Sequence, residues 1–465
     1  MYEFSSKLKI TAIALMVIGA LGIAFGFFDG AGKTIDDAKE VIAHHEAAVA
    51  EKAEAAKLIP QYGRKSQAKA VTKETVSHND DAHGHEDAHA GEQHAEHVLS
   101  QMQNRPWAAF FVGLFFLFMI ALAIFAFYAI QIAASAGWSI VLLRLMEALS
   151  ASIIPLGIII LLFLLASAFG MNHIFPWMHA EGDALIEAKA WWLNTPSWLM
   201  RSFAYIIGYI LFRHIIIKKN RQQDDATDLT AHKKAFKYSI FFLVFFMTTE
   251  SMLSWDWIMS LDPHWFSSLF GWYIFATSIV SAITVIAIAV MYLKSRGYLE
   301  FVNDSHLHDL GKYMFGFSIF WAYLWFAQYM LIWYSNMPEE TTYFMQRMEQ
   351  YQFIFFFMVV LNLVFPLIVL MDSDVKRKFS IMLIVGLVIL TGHYIDVFVM
   401  IMPSTVGAHW HFGIPEMGSI LFFVGLFIYF GFSALTKRPL LPKGNPYLKE
   451  SEHYHYYNLD HGDDH

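Results

Sequence analysis

Two pairs of ionisable residues spaced three apart sit inside apolar stretches of this chain: His393 with Asp396, and Arg144 with Glu147. Residues three apart share a helix face, so each pair would present its two groups together. A carboxylate beside an imidazole can pass protons; the same spacing also serves a structural hydrogen bond between helices. Arg144 and Glu147 lie one to two turns from one end of their stretch, as an internal ion pair or as a site of proton uptake. Glu250 lies deep in another stretch, and Asp256 follows nearer its end between Trp255 and Trp257. Six residues apart, these two acids do not share a face closely. Tyr323, Gln328 and Tyr329 can extend a hydrogen-bonded path without bearing charge, or can simply pack helices. Ionisable groups in apolar stretches are expensive, which makes His393, Asp396, Glu250, Arg144 and Glu147 candidates for moving protons.

Asp256, Asp262 and His264 fall among Trp255, Trp257 and Trp265. They would give an apolar pocket the acid or histidine near one membrane face that quinol binding needs. Asp262-Pro263 also reads as a helix start, with Asp as the cap and Pro in the first turn. Glu339 and Glu340 fit the first turn of another helix. Asp372 or Asp374 is expected to cap the ninth apolar stretch. The histidines at 78, 83, 85, 89, 94 and 97 lack tetrahedral metal-site spacing, so a solvated loop is the expectation and no metal site is assigned. His409 and His411 suit an interface or a metal. The chain has no cysteine, which excludes disulfides, thiolate-held iron–sulfur clusters and thioether-attached haem. His393 is the only histidine well inside an apolar stretch, which argues against bis-histidine haem. No phosphate-binding glycine loop occurs, and no basic patch suits nucleic acid.

The elements that position these residues are membrane helices. Of the 465 residues 57% are hydrophobic and only 15% charged, against about 25% in soluble proteins. Ten apolar runs are long enough to span a bilayer core, at about 8–28, 107–132, 139–169, 197–217, 235–261, 265–293, 310–333, 352–370, 379–402 and 416–435. The first is longer than a signal-peptide core and is expected to stay as a helix. Lys and Arg gather in alternate connections and in the tail, so both termini should be cytoplasmic. The connection over residues 30–105 should then be periplasmic, with a helix over Thr34–Leu58, opened by Thr34 and Asp37, before a flexible stretch from Val76 to His97.

Several motifs resemble the NrfD/PsrC-like membrane subunits, most closely the ActF-type subunit of bacterial alternative complex III. They are His306-Leu307-His308-Asp309-Leu310-Gly311-Lys312, Trp321-Ala322-Tyr323, Gln328-Tyr329, the run from Trp333 through Glu340, and the run from Ser254 through Trp265. The likeness covers roughly residues 105–450. It implies two four-helix bundles, spans two to five (106–261) and six to nine (262–402). Residues 1–29 and 403–436 would hold two peripheral helices, and 437–465 a cytoplasmic tail. It further implies a subunit without cofactor of a quinol:cytochrome c (or oxidase) oxidoreductase in the bacterial plasma membrane. Such a subunit supports assembly and offers proton half-channels, and is not itself the redox catalyst. The implied partners are a sister NrfD-like subunit, a periplasmic iron–sulfur protein, c-type cytochromes and a terminal oxidase. A subunit that itself binds and oxidises quinol, and a stand-alone transporter, are the alternatives.

Overall fold

The computed structural model describes residues 2–44, 47, 86–180, 182–408 and 410–455, with backbone alone for 86–91 and 93. His78, His83, His85 and His409 lie outside the described residues, as does the end of the helix expected over Thr34–Leu58. Its start forms as expected: Thr34 N donates to Asp37 Oδ2 at 2.7 Å, and Asp37 N donates back to Thr34 Oγ1.

The protein is an all-α polytopic membrane protein. Among the described residues ten helices are long and apolar enough to cross a bilayer: α1 (Ser6–Ala31), α2 (His94–Ala133), α3 (Gly137–Ala168), α4 (Thr195–Asp225), α5 (Thr230–Leu261), α6 (Phe270–Ser295), α7 (Asp304–Ser335), α8 (Gln352–Val369), α9 (Phe379–Val406) and α10 (Ile414–Leu435). Helices are forced here because backbone groups in lipid must satisfy one another within the segment. Helices α2 to α5 pack in order, and α5 closes back on α2. Helices α6 to α9 form a second ring in the same way, closed by α9 on α6. The two bundles meet where α2 packs on α6 and α9; α2 is almost wholly buried and forms the central pillar. Helices α1 and α10 stand beside the bundles, packed on each other. A Cβ on Gly22 of α1 would lie 2.8 Å from the Gly418 Cα of α10, so these two backbones touch.

Three local expectations are corrected. The helix that becomes α2 begins at Glu86, so the His-rich stretch is helical from there rather than flexible to His97. Its Ala, Glu and Gln are strong helix formers that run without a break into the apolar segment. Second, no helix starts at Asp262-Pro263. Trp265 stacks on Tyr343 at 3.7 Å between ring centroids, this stretch runs as turns, and α6 begins at Phe270. Third, Lys378 holds the cap position of α9, while Asp372 accepts from Asp374 N at 2.8 Å inside the preceding turn. Two spans are also irregular: a 3-10 turn opens α3 at Gly137–Leu142 and another interrupts it at Ser150–Ser152, and a π-turn at Val360–Val364 interrupts α8. The π-turn precedes Pro366, which has no N–H to give the carbonyl four residues back. Glu339 and Glu340 stand in the first turn of Pro338–Gln350 as expected.

The short connections after α2, α4, α6 and α8, and the chain after α10, lie at one end, here called the basic end. The connections after α3, α5, α7 and α9 lie at the opposite end.

Candidate functional site

The second bundle carries a wholly buried acid site. Asp396 on α9 accepts from Tyr273 Oη and from Thr277 Oγ1 (2.8 Å) on α6, and from Trp321 Nε1 (2.8 Å) on α7. Thr277 and Trp321 share Oδ2 while Tyr273 takes Oδ1, a donor set that suits an ionised carboxylate. His393 is fully buried one turn away, with Nδ1 3.7 Å from Asp396 Oδ2. Neither of its ring nitrogens has a hydrogen-bond partner among the described residues. Its ring meets Trp321 edge-on at 5.5 Å. The site is therefore an acid of α9 held by donors from two other helices, beside an imidazole with both nitrogens open. Because Gly392 has no side chain, the Asn362 amide from the π-turn of α8 can lie against α9 just before His393. Both polar atoms of that amide are likewise unpartnered.

The other expected path residues divide. Glu250 on α5 is buried, and its Oε1 has no partner among the described residues. A buried acid without a fixed counter-ion is suited to take up and release a proton. Gln328 is buried, and its Nε2 has no partner among the described residues. Tyr329 packs on Trp325 and Phe344. Tyr323 is 64% exposed and points out of the bundle, so it does not join this path.

At the basic end Arg144 and Glu147 meet as their spacing predicts, with Nη1 2.6 Å from Oε2. Arg221 of α4 binds Glu147 Oε1, Arg144 also reaches Asp224, and Arg213 Nη2 donates to the Glu147 carbonyl at 2.8 Å. Two guanidinium groups thus hold the Glu147 side chain. This is the geometry of an anchor between α3 and α4 rather than of a proton carrier.

At the opposite end Asp256 is fully buried and fully engaged. Arg201 Nε donates to Oδ2 at 2.9 Å and Nη2 to Oδ1 at 2.7 Å, while Trp192 Nε1 and Tyr205 Oη add a bond each. His264 bonds Asp183 at 2.7 Å, which holds the Asp183 carboxyl below its ordinary range. A cavity of about 280 Å³ does open here. Its walls are Trp191, Trp192, Trp255, Trp265, Phe266 and Lys189; Asp256, Asp262 and His264 do not line it. The indole N–H groups of Trp255 and Trp265 are buried behind these walls, without partners among the described residues. Burial pushes the Lys189 ammonium below the usual lysine range, against the opposing pull of Asp262 and Asp183. Nearby, the buried guanidinium of Arg347 donates to the carbonyls of Tyr343, Val399 and Met400 and lies 3.3 Å from the Tyr343 ring centroid.

Sequence reasoning missed most of the partners. Arg201 lies within the apolar run 197–217; Arg105, just ahead of the run 107–132, gave no such sign, yet it grips Glu416 of α10 through two bonds of 2.9 Å. Tyr273, Thr277 and Trp321 gave no sign of converging on Asp396, because they come from two other helices. His411 contacts Arg105, and no cluster of three metal-ligating side chains occurs among the described residues. No protein-family model matches the chain, and no curated protein matches it.

Proposed function

We propose that this chain is a membrane subunit, without cofactor of its own, of a respiratory quinol:cytochrome c (or oxidase) oxidoreductase complex, of the type found in alternative complex III. It supports assembly and moves protons. The observation that carries the reading is the Asp396 site. A carboxylate on α9 bound by side chains of α6 and α7 ties three helices of the second bundle together, while the adjacent His393 keeps both nitrogens open to a proton. Closing the 3.7 Å gap between Nδ1 and Oδ2 would hand a proton from the imidazole to the carboxylate. Tyr273, one turn into α6 from the opposite end, carries the path outward. Glu250 is the corresponding open acid of the first bundle, and Gln328 a neutral group near the end of the second. Glu147, held by Arg144 and Arg221, fastens the first bundle.

Without cysteine the chain cannot ligate an iron–sulfur cluster through thiolates, so electrons would pass through partners: an iron–sulfur protein, c-type cytochromes and a sister membrane subunit, with a terminal oxidase downstream. The basic end faces the cytoplasm of a bacterial plasma membrane, with both termini there and the His-rich stretch in the periplasm, as the distribution of Lys and Arg supports. Purification of the tagged chain in mild detergent tests the proposal by mass spectrometry and an optical spectrum. Co-purifying c-type haem and iron–sulfur subunits with quinol:cytochrome c activity are expected. A colourless, lone polypeptide from an intact preparation overturns it.

One observation favours quinol binding by this chain itself: the tryptophan-walled cavity of about 280 Å³, apolar apart from Ser260 and Lys189. Aromatic walls with a single cationic group suit a quinone ring and its carbonyl. Bound quinone contacting Trp255 and Trp265 in the purified complex would establish this second reading.

A further inference from the structure

A second built cavity, of about 310 Å³, lies at the basic end, far along the chain's topology from the acid site and the tryptophan cavity. It is lined by Arg213, His214, Lys218 and Arg221 of α4, by Asp225, and by Arg438 from beyond α10. Arg221 is set against Glu147, and Arg213 donates to Ser150 Oγ at 3.0 Å and to the Glu147 carbonyl. Lys218 and Arg438 are exposed and make no ion pair among the described residues. Taking the whole cluster, Arg144, Arg213, Lys218, Arg221 and Arg438 face three carboxylates, those of Glu147, Asp224 and Asp225. Two positive charges are left over.

Two simpler origins account for part of this. A retention signal for cytoplasmic loops explains why Lys and Arg are here at all. The negative end of the α4 dipole explains Lys219 and Arg221 in its last turn. Neither explains why a side chain from beyond α10 meets α4 around one cavity. The lie of the surface supplies the reason. Along α4, Ile207 (58% exposed) and Leu211 (53%) are followed on the same stripe by His214 and Lys218. Neighbouring α3 exposes Ile154, Ile158 and Leu162. An outward apolar surface therefore runs down into a cationic cavity at headgroup depth, so a molecule with acyl chains and an anionic head matches both parts.

We propose that this cavity binds the headgroup of an anionic membrane phospholipid, specifically a diphosphate lipid whose two negative charges match the two unpaired cations. Its acyl chains lie against Ile207 and Leu211, with Arg438 closing over the phosphates from the side of α10. The lipid would staple α10 to the first bundle from the bilayer.

The test uses the full chain in nanodiscs of phosphatidylcholine, titrated with a tetra-acyl diphosphate lipid and read by native mass spectrometry. Removing each cation should cost about five-fold in affinity, so Lys218→Gln with Arg438→Gln should lose roughly thirty-fold. The control pair Lys437→Gln with Lys443→Gln removes the same charge from exposed positions outside the cavity and should change binding little. Millimolar inorganic phosphate should not compete. Equal losses in the two pairs would mean diffuse surface charge and overturn the proposal. Competition by inorganic phosphate would identify a soluble-anion site and overturn it too. Should the double variant not fold, Arg438→Gln alone reads the same effect at about five-fold.

Discussion

Replacing Asp396 separates what its charge does from what its shape does. Asp396→Ala strands Tyr273 Oη, Thr277 Oγ1 and Trp321 Nε1, three donors that now end on one carboxylate. Thr277 can turn back to its own helix carbonyl, but the indole N–H has no alternative in a sealed site. At about 1–3 kcal/mol for each stranded donor, with two to three stranded, the loss is roughly 2–9 kcal/mol before any cavity cost. Asp396→Asn is different. Its amide oxygen can take the place of Oδ2 and keep Trp321 and Thr277, while its NH₂ faces Tyr273, whose hydroxyl turns to accept. The loss is then the charge-assisted part of three bonds, about 1 kcal/mol each, and removing a buried charge offsets much of it. The Asn variant should therefore stay within about 2 kcal/mol of the parent while losing the group that takes the proton. Thermal unfolding of the purified complex measures the first quantity. A pH-indicator dye in proteoliposomes, driven by quinol oxidation, measures the second. If Asp396→Asn moves protons at the parental stoichiometry, Asp396 is a structural clamp and the proton role assigned to it is refuted.

Other outcomes follow from the same geometry. Arg201→Met should destabilise by about 3–5 kcal/mol, because buried Asp256 loses its bidentate partner; adding Asp256→Asn should restore part of that in thermal unfolding. The Asp183 carboxyl is held below its ordinary range by His264, so the tether between the connections after α3 and α5 is present above the unfolded carboxyl pKa. It is lost as pH falls through the lower folded value. Limited proteolysis of residues 170–194 should accelerate in that acid window, and Asp183→Asn should abolish the pH dependence. Lys189, with its ammonium pushed down by burial, carries more free amine than an ordinary lysine at any given pH. It should acylate at lower pH than the exposed lysines, and quinone in the tryptophan cavity should slow that labelling in a peptide-mapping experiment.

The spans were legible because bilayer thickness imposes a length that composition alone reveals, and the Arg144–Glu147 pair was legible because both members lie on one helix. The limits are equally physical. The π-turn in α8 follows from a proline whose effect depends on how neighbouring helices re-satisfy a freed carbonyl. The helix through the His-rich stretch was hidden because a polar composition disfavours a core but does not disfavour a helix anchored at one end. Above all, Asp396 looked like half of a pair with His393. Its actual hydrogen bonds come from Tyr273, Thr277 and Trp321, residues more than 70 positions away with no periodic signal to link them. Tyr323 was misplaced for the related reason that a tyrosine in an apolar span reads the same whichever way it faces.

The contact between α1 and α10 also sets a timetable. Gly22 and Gly26 of α1 lie against Gly418 and Pro415 of α10, and Gly425 of α10 against Ala12, so α1, which otherwise meets only α2 closely, lacks its main neighbour until α10 is in the bilayer. Ala31 and Ile414 are about 380 residues apart. At bacterial-to-eukaryotic synthesis rates, α1 waits roughly 20–80 s with a bare glycine groove facing lipid. During that interval any other helix with small residues could occupy the groove, so α1 calls for a temporary companion during synthesis. A chain stalled before α10 would expose the same groove as a mark of incompleteness that a membrane protease can read.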